Sequence, residues 1–91
     1  MNVTSNNRAH HKRSRLIGIA ETAGYFGASK GLIYKWIANG LCTPGVKIGA
    51  RAVRWPESEL HRIAEARVAG ASENQLRALV TALITARTMA D

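Results

Sequence analysis

The sequence predicts a mainly α-helical fold with one small β-hairpin. Apolar residues recur at three- and four-residue spacing in four segments, as they do in amphipathic helices. Between the second and third of these segments, the stretch KIGARAVRW at residues 47–55 places Ile, Val and Trp around a glycine-containing turn, which is typical of a hairpin. A length of 91 residues and an apolar content of 46% fit one domain with a small core.

The positive charge is concentrated in the first part of the chain. The formal net charge is +7 and the sequence pI is about 10.6. Residues 1–55 contain nine Lys or Arg and only one acid, Glu21, whereas residues 56–91 contain four basic and five acidic residues. This asymmetry predicts a polyanionic partner that binds the first part of the chain.

Residues 1–15 are predicted to form a flexible basic arm, because they are polar and poor in apolar side chains. The arm either contacts DNA phosphates and the minor groove or serves as a solubilising tail. Adjacent His10 and His11 are interpreted as solvated residues rather than as metal ligands. The candidate DNA-binding residues of the arm are Arg8, Lys12, Arg13 and Arg15.

The first two predicted helices are short and are separated by a glycine-containing turn. Apolar spacing over 19–26 indicates the first helix, and Gly27 ends it. Ser29 is a suitable N-cap for the second helix, and Gly40 is suitable at its C-terminal end. Two short helices joined in this way outline a helix-turn-helix, although an ordinary helical hairpin has the same outline.

The second helix is predicted to bury one face and to expose a basic face. At about 100° per residue, its apolar side chains fall on one side. The inward face comprises Leu32, Ile33, Trp36 and Ile37. The outward face has no carboxylate, which favours a nucleic-acid-binding helix. The candidate binding residues there are Ser29, Lys30, Gly31, Tyr34, Lys35 and Asn39.

The hairpin is predicted to act as a basic wing. If its connecting loop has an even number of residues, four apolar residues share the face toward the core. These residues are Val46, Ile48, Val53 and Trp55. Lys47 and Arg54 then share the opposite face, and Arg51 stands at the tip. Lys47, Arg51 and Arg54 are therefore the candidate binding residues of the wing.

Two further helices are predicted after the hairpin. Pro56 suits the first position of the third helix, and Ser72-Glu73-Asn74-Gln75 is a capping-box pattern that begins the fourth. The apolar stripe of the fourth helix either packs on the third helix or contacts another protomer. Candidate oligomer contacts, including two residues that follow the arm, are Leu16, Ile17, Leu76, Leu79, Val80, Leu83 and Ile84.

The sequence contains no arrangement that predicts catalysis, a metal site or a cofactor. The acids are dispersed, and no phosphate-binding loop or His–Cys cluster is present. The single cysteine, Cys42, excludes an internal disulfide and is expected to pack in the core. No apolar run is long enough for a membrane span, so we expect a soluble protein. The single cysteine fits a reducing cytoplasm, and the lack of a catalytic arrangement predicts that the protein is not an enzyme.

Two segments resemble the AlpA-like regulators of phages and other mobile elements. The segments are Gly27-Ala28-Ser29-Lys30 through Ile33-Tyr34-Lys35 to Gly40, and Val46-Lys47-Ile48-Gly49 with Arg51-Ala52-Val53-Arg54-Trp55. In that family, a Gly-x-Ser-x-x-x-Ile-Tyr recognition helix is paired with a Val-Lys-Leu-Gly…Arg-Ala-Val-Arg-Trp wing. The resemblance covers about residues 19–67. It departs from the family at Gly31 and Leu32, where a polar residue is usual, and at 42–45, where the family has Phe-Pro-x-Pro.

The resemblance implies a winged helix-turn-helix related to MerR-type domains and phage excisionases. On this basis residues 16–70 would be the DNA-binding domain, and residues 71–91 would add a C-terminal helix. The recognition helix would face the major groove of double-stranded DNA, and Arg51 would face the adjoining minor groove or the backbone. Family members bind attachment-site DNA and direct an integrase towards excision, as recombination directionality factors, or they regulate transcription.

The oligomeric state separates the alternatives that the resemblance leaves open. An excisionase would assemble head-to-tail on direct repeats as a homo-oligomer, whereas a transcription regulator without a recombination role would bind a palindrome as a dimer. An RNA-binding or protein-protein adaptor module is the alternative from another class.

Overall fold

Four helices and a small antiparallel sheet make up residues 14–89, the part of the chain that the computed structural model describes. In chain order the elements are β1 (Leu16–Ile17), α1 (Ile19–Phe26), α2 (Lys30–Ala38), β2 (Val46–Lys47), β3 (Val53–Pro56), α3 (Glu57–Val68) and α4 (Glu73–Met89). The predicted mainly α fold with a small hairpin is therefore confirmed. The narrower winged helix-turn-helix assignment stays a prediction.

The sheet has three strands in the order β1-β3-β2, one more than the sequence predicts. β1 pairs antiparallel with β3, with Leu16 opposite Pro56 and Ile17 opposite Trp55. The backbone N–H of Glu57 extends the pairing by donating to the carbonyl of Arg15 at 2.8 Å. The segment that leads into α1 is thus fastened to the hairpin.

The β2–β3 hairpin has a different register from the one expected. Val46 lies opposite Arg54 and Lys47 lies opposite Val53, so Lys47 and Arg54 occupy opposite faces. The backbone N–H of Ile48 donates to the carbonyl of Ala52 at 2.8 Å, which leaves a three-residue tip at 49–51. The expected face assignment required an even-numbered loop. With an odd-numbered loop, the side chains of one strand point to the opposite face of the sheet from the one expected.

The helix ends follow the local signals in the sequence. Gly27 and Gly40, at φ 64° and 75°, adopt the left-handed conformation that favours glycine after a helix. The capping box before α4 is confirmed by reciprocal bonds, Ser72 N to Gln75 Oε1 at 2.8 Å and Gln75 N to Ser72 Oγ at 3.1 Å. Pro56 lies one position earlier than expected, as the N-cap of α3.

The core lies between the four helices and the inner face of the sheet. Ile33, Leu60 and Ile63 are fully buried, and α4 packs against α3. The other buried apolar residues are Ile17, Ala23, Leu41, Cys42, Trp55, Leu76 and Val80. Among residues 14–89, no helix combines the length and apolar character that crossing a bilayer would need.

Candidate nucleic-acid interface

Helix α2 exposes a basic face without a carboxylate. Lys30, Gly31, Tyr34 and Lys35 are exposed, and 53% of Tyr34 is accessible. The first turns of α1, α3 and α4 carry an acid, whereas the first turn of α2 carries Lys30. Because a helix N-terminus is the positive end of the helix dipole, a lysine there is unfavourable unless an anion lies nearby. The start of α2 is therefore suited to an anionic partner.

The two polar residues at the ends of α2 use their side chains to bond to the backbone of the helix. Ser29 Oγ accepts a hydrogen bond from the N–H of Leu32 at 3.0 Å, as an N-cap does. Asn39 Nδ2 donates to the carbonyl of Lys35 at 2.9 Å. The Tyr34 hydroxyl, by contrast, makes no hydrogen bond with any other part of residues 14–89, so it is free to meet a ligand.

The predicted inward face of α2 faces the core at three of its four positions. Ile33 is fully buried, and Trp36 and Ile37 pack against the core. The guanidinium of Arg67, from α3, lies 3.9 Å from the Trp36 ring centroid and covers it. Leu32 is 38% exposed, so its assignment to the buried face is wrong. It lies at the edge of the apolar stripe, in a groove that α2 forms with the start of α4.

The hairpin presents basic side chains on both faces and at its tip. Lys47 is exposed beside Val53, while Arg54 is half-buried and donates from Nη1 to the carbonyl of Val53 at 2.9 Å. Arg51 is exposed at the tip. Ile48, expected to face the core, is 51% exposed next to the tip because of the odd-numbered loop. The tip therefore combines an apolar side chain with a basic one, a feature that the sequence analysis missed.

One continuous segment of the chain carries only positive charges that are unpaired within residues 14–89. Residues 22–56, which we call the acid-free segment, contain five basic residues and no acidic residue. Those residues are Lys30, Lys35, Lys47, Arg51 and Arg54. None of them makes an ion pair within residues 14–89, whereas all five carboxylates in that range lie within ion-pair distance of a base outside the segment. The positive charge of α2 and the hairpin is thus uncompensated, which favours a polyanionic ligand.

Arg15, assigned to the arm from sequence, is tied to the folded domain. Its Nη2 lies 2.5 Å from Glu21 Oε2, and its Nε lies 3.2 Å from Glu57 Oε1. The hydrogen bond to Glu21 and the charge of Glu57 raise the pKa of Arg15. These pairs anchor the start of β1 and leave Arg15 with little free charge for DNA. The other arm residues, Arg8, Lys12 and Arg13, lie outside the described residues.

Most of the predicted oligomer contacts belong to the core. Ile17, Leu76 and Val80 are 3–4% exposed, so they cannot meet a second protomer without opening the fold. Leu79 and Leu83 are half-buried and pack against the core. Leu16 and Ile84, at 51% and 38% exposed, are the two predicted contacts whose side chains remain accessible.

The segment between α2 and the hairpin is part of the core. We call residues 39–44 the connector. Leu41, Cys42 and Thr43 in its middle are 6%, 1% and 0% exposed, and the indole Nε1 of Trp55 donates to the carbonyl of Thr43 at 2.9 Å. Burial raises the pKa of the Cys42 thiol to about 11. The two basic elements are therefore joined by a packed segment rather than by a solvent-exposed linker.

A second polar cluster lies on the surface between α1 and α3. The Tyr25 hydroxyl is 3.4 Å from His61 Nδ1, and His61 Nε2 is 3.3 Å from Glu65 Oε2. All three side chains are exposed, and the groove beside them is open to solvent. Within residues 14–89, no three His, Cys, Asp or Glu side chains are grouped so that they could hold a metal ion.

Comparison of the chain with protein-family models, with curated proteins and with solved structures finds no match. The resemblance to AlpA-like regulators therefore stays a prediction. The functional conclusion depends on the residues of α2 and the hairpin and on their charge.

Proposed function

We propose that this protein binds double-stranded DNA sequence-specifically through α2 and the β2–β3 hairpin. The observation that carries the proposal is the acid-free segment, whose five basic residues have no carboxylate partner within residues 14–89. Double-stranded DNA is a polyanion, and neutralising its phosphates with Lys and Arg releases condensed counterions, which favours binding.

The basic side chains position the protein on the phosphate backbone. Lys35 and Lys47 are exposed, and Lys30 stands at the helix end whose dipole also attracts phosphate. Each phosphate that such a residue neutralises adds about 0.9 to the slope of log affinity against log salt concentration. Phosphate contacts supply affinity and register but no sequence preference, and Lys30 is in addition a candidate for contacts to base edges.

Sequence is read from the first turns of α2, which lies in the major groove. Lys30 and Tyr34 are the exposed side chains there with free donors, and the Ser29 hydroxyl proton remains available although its oxygen caps the helix. Gly31 has no side chain and allows the helix backbone to approach the DNA closely.

The hairpin tip contacts the adjacent minor groove. A three-residue tip of Gly49, Ala50 and Arg51 is narrow, and it presents one guanidinium beside the exposed Ile48. Arg side chains favour narrow, A·T-rich minor grooves, where the negative potential is enhanced. Apolar side chains at such a tip pack against sugars or base steps.

The biological role that we propose is control of a mobile genetic element. Protomers assemble head-to-tail on attachment-site DNA and steer an integrase towards excision, with transcription control as a further activity. This narrower proposal is supported by the resemblance of residues 19–67 to AlpA-like regulators and excisionases. A single α2 and one hairpin bury a modest DNA surface, which also favours binding by more than one protomer.

The salt dependence of duplex binding tests the proposal. A fluorescent duplex is titrated by anisotropy between about 50 and 300 mM salt, first with the wild-type chain and then with the Lys30→Ala/Lys35→Ala/Lys47→Ala/Arg51→Ala variant. We expect the salt slope to fall by three to four units, at about 0.9 for each lost phosphate contact. Unlabelled RNA of equal length should compete poorly, whereas effective RNA competition would favour an RNA-binding module.

A matched pair of single variants controls for charge alone. Arg51→Ala and Arg62→Ala remove the same side chain, and Arg62 is an exposed residue of α3 without an ion pair in the described part of the chain. Arg51→Ala should lower affinity about tenfold, the loss of one good DNA contact, while Arg62→Ala should change it less than twofold. Equal losses would mean that net charge, not the proposed surface, determines binding.

A further inference from the structure

Helix α4 contacts both ends of the connector, at Asn39 and at Pro44. At the first end, Arg77 Nε donates to the carbonyl of Asn39 at 2.9 Å. At the second end, Arg87 Nη2 donates to the carbonyl of Pro44 at 2.8 Å. The two arginines are ten positions apart on one helix, so a single rigid element fixes where α2 ends and where the hairpin begins.

Arg87 is itself held in place. Its Nε and Nη2 donate to the two carboxylate oxygens of Glu59 at 2.8 and 2.7 Å, and the Glu59 side chain is only 8% exposed. A bidentate pair of this kind fixes the plane of the guanidinium. The third hydrogen bond, to Pro44, therefore has a defined direction set by α3 and α4.

Arg77 is held more loosely, by exposed partners. Its Nη1 lies 3.2 Å from Asn74 Oδ1 and its Nη2 lies 3.4 Å from Glu73 Oε1, within the first turns of α4. Its stem also passes 3.5 Å from the position that a Cβ on Gly40 would occupy. The first end of the connector is thus covered by the same arginine that bonds to it.

We propose that α4 is a brace that sets the position of the hairpin relative to α2, with Arg77 and Arg87 as positioning residues. The brace holds the two basic elements in one arrangement, so that both engage a duplex at once. This inference rests on the proposed function for what the two elements bind. It assigns α4 to shaping the DNA-binding surface of a single protomer and not to contact between protomers.

Two variants each remove one contact of the brace by a change that should keep the fold. Arg77→Met removes the bond to Asn39 at a surface position whose side chain is 43% exposed. Glu59→Met/Arg87→Met removes the bond to Pro44, and because both charges of the pair leave together, no buried carboxylate is stranded. Arg62→Met is the matched control, since it removes an arginine of α3 that does not touch the connector.

The first readout is affinity for a duplex that carries one binding site. Each brace variant is measured in the wild-type background and in the Lys47→Ala/Arg51→Ala background, which lacks both exposed basic side chains of the hairpin. If the brace positions the hairpin, each brace variant should weaken binding about tenfold in the wild-type background, and less than twofold once the hairpin contacts of Lys47 and Arg51 are already lost. Such coupling is what a double-mutant cycle isolates. Equal losses in the two backgrounds, or no loss in either, would overturn the inference.

The second readout is independent of DNA and uses the single cysteine of the chain as a reporter. Cys42 lies in the middle of the connector and is 1% exposed, so a thiol reagent reaches it only when the connector opens. Loss of the brace should raise the Cys42 labelling rate at least tenfold at an unchanged urea midpoint, with Arg62→Met at the wild-type rate. An unchanged labelling rate in both brace variants would overturn the inference.

The two readouts separate failure of the brace from failure of the proposed function. A wild-type chain that binds no duplex, but whose Cys42 labelling rises in the brace variants, contradicts the DNA-binding proposal and supports the brace. If the wild type binds the duplex, but the brace variants change neither the Cys42 labelling rate nor the outcome of the double-mutant cycle, the DNA-binding proposal is supported and the brace is contradicted.

Discussion

The acid-free segment and the remainder of the described chain use their charges in opposite ways. In the remainder, Arg15, Arg77 and Arg87 each lie within ion-pair distance of a carboxylate, and the Arg87–Glu59 pair is largely buried. In the acid-free segment, five basic residues have no such partner within residues 14–89. Outside the acid-free segment, Arg62 and Arg67 of α3 also lack an ion pair in the described range, and Arg67 covers the Trp36 ring. The acid-free segment differs in that all of its charges are positive and none is paired, so they remain available to an external polyanion.

The largest expected difference between the two regions concerns stability. Arg87→Met should lower the free energy of unfolding by about 3–5 kcal/mol, because it strands the buried Glu59 carboxylate. Arg51→Met should change it by less than about 0.5 kcal/mol, since an exposed residue without an ion pair in the described range contributes little. Urea unfolding followed by tryptophan fluorescence measures both. Similar losses of unfolding free energy in the two variants would contradict the distinction between charges that stabilise the fold and charges that bind a ligand.

The pH dependence of stability should report on the buried connector. The ordinary pKa of a cysteine thiol, 9.0, applies to Cys42 in the unfolded chain, and burial raises this pKa to about 11 in the folded protein. Above pH 9 the unfolded state loses this proton first, so the free energy of unfolding should fall as pH rises from 9 to about 11. The total contribution is on the order of 2–3 kcal/mol. Comparing the pH profiles of the wild type and Cys42→Ala isolates it, and parallel profiles would mean that the thiol is not buried.

A glycine at the base of the hairpin tests the packing between the connector and the sheet. A Cβ on Gly45 would lie 2.3 Å from Val53 Cγ1 and 3.0 Å from two ring carbons of Trp55. Gly45→Ala should therefore destabilise the protein by about 1–3 kcal/mol, as overpacking does. Gly49→Ala is the matched control, because its Cβ would meet only Ala52 Cβ at 3.7 Å. Equal unfolding midpoints for the two variants would show that Val53 and Trp55 can shift to accommodate the added methyl group without loss of stability.

The smallest expected effect concerns the N-cap of α2. Ser29→Ala removes the acceptor for the N–H of Leu32 and should cost about 1 kcal/mol of stability. Ser29→Asp restores the cap but brings a negative charge to the start of the acid-free segment. It should therefore recover stability while weakening duplex binding. Thermal unfolding and duplex anisotropy on the two variants check this, and unimpaired binding by Ser29→Asp would place the start of α2 away from DNA.

Local signals in the sequence were sufficient for the helices, whereas long-range pairing was not predictable from them. Ser29, Gly27 and the capping box at 72–75 act on neighbouring residues, so their roles follow from short spacings. The strand at Leu16–Ile17 depends on a partner about forty residues away, and two apolar residues carry no period that reveals it.

The sequence indicates which basic residues belong to the candidate site but not how their side chains are arranged. The basic residues of α2 and the hairpin are evident from sequence, because charge and helical periodicity are local properties. The facing of Lys47 and Arg54 depends on the parity of the hairpin loop, and the exposure of Ile48 follows from the same parity. The contacts of Arg77 and Arg87 with the connector join residues 38 and 43 positions apart, so no spacing in the sequence indicates them.

Selection of bound duplexes from a random DNA pool at moderate salt tests the central claim most directly. The wild-type chain is compared with the Lys30→Ala/Lys35→Ala/Lys47→Ala/Arg51→Ala variant in parallel. We predict that the wild type enriches a defined sequence, present as direct repeats about one helical turn apart, and that the variant enriches none. An enriched palindrome would replace the head-to-tail assembly with a dimeric regulator. No enriched sequence, or the same sequence with both chains, would contradict DNA recognition by the unpaired charges of α2 and the hairpin.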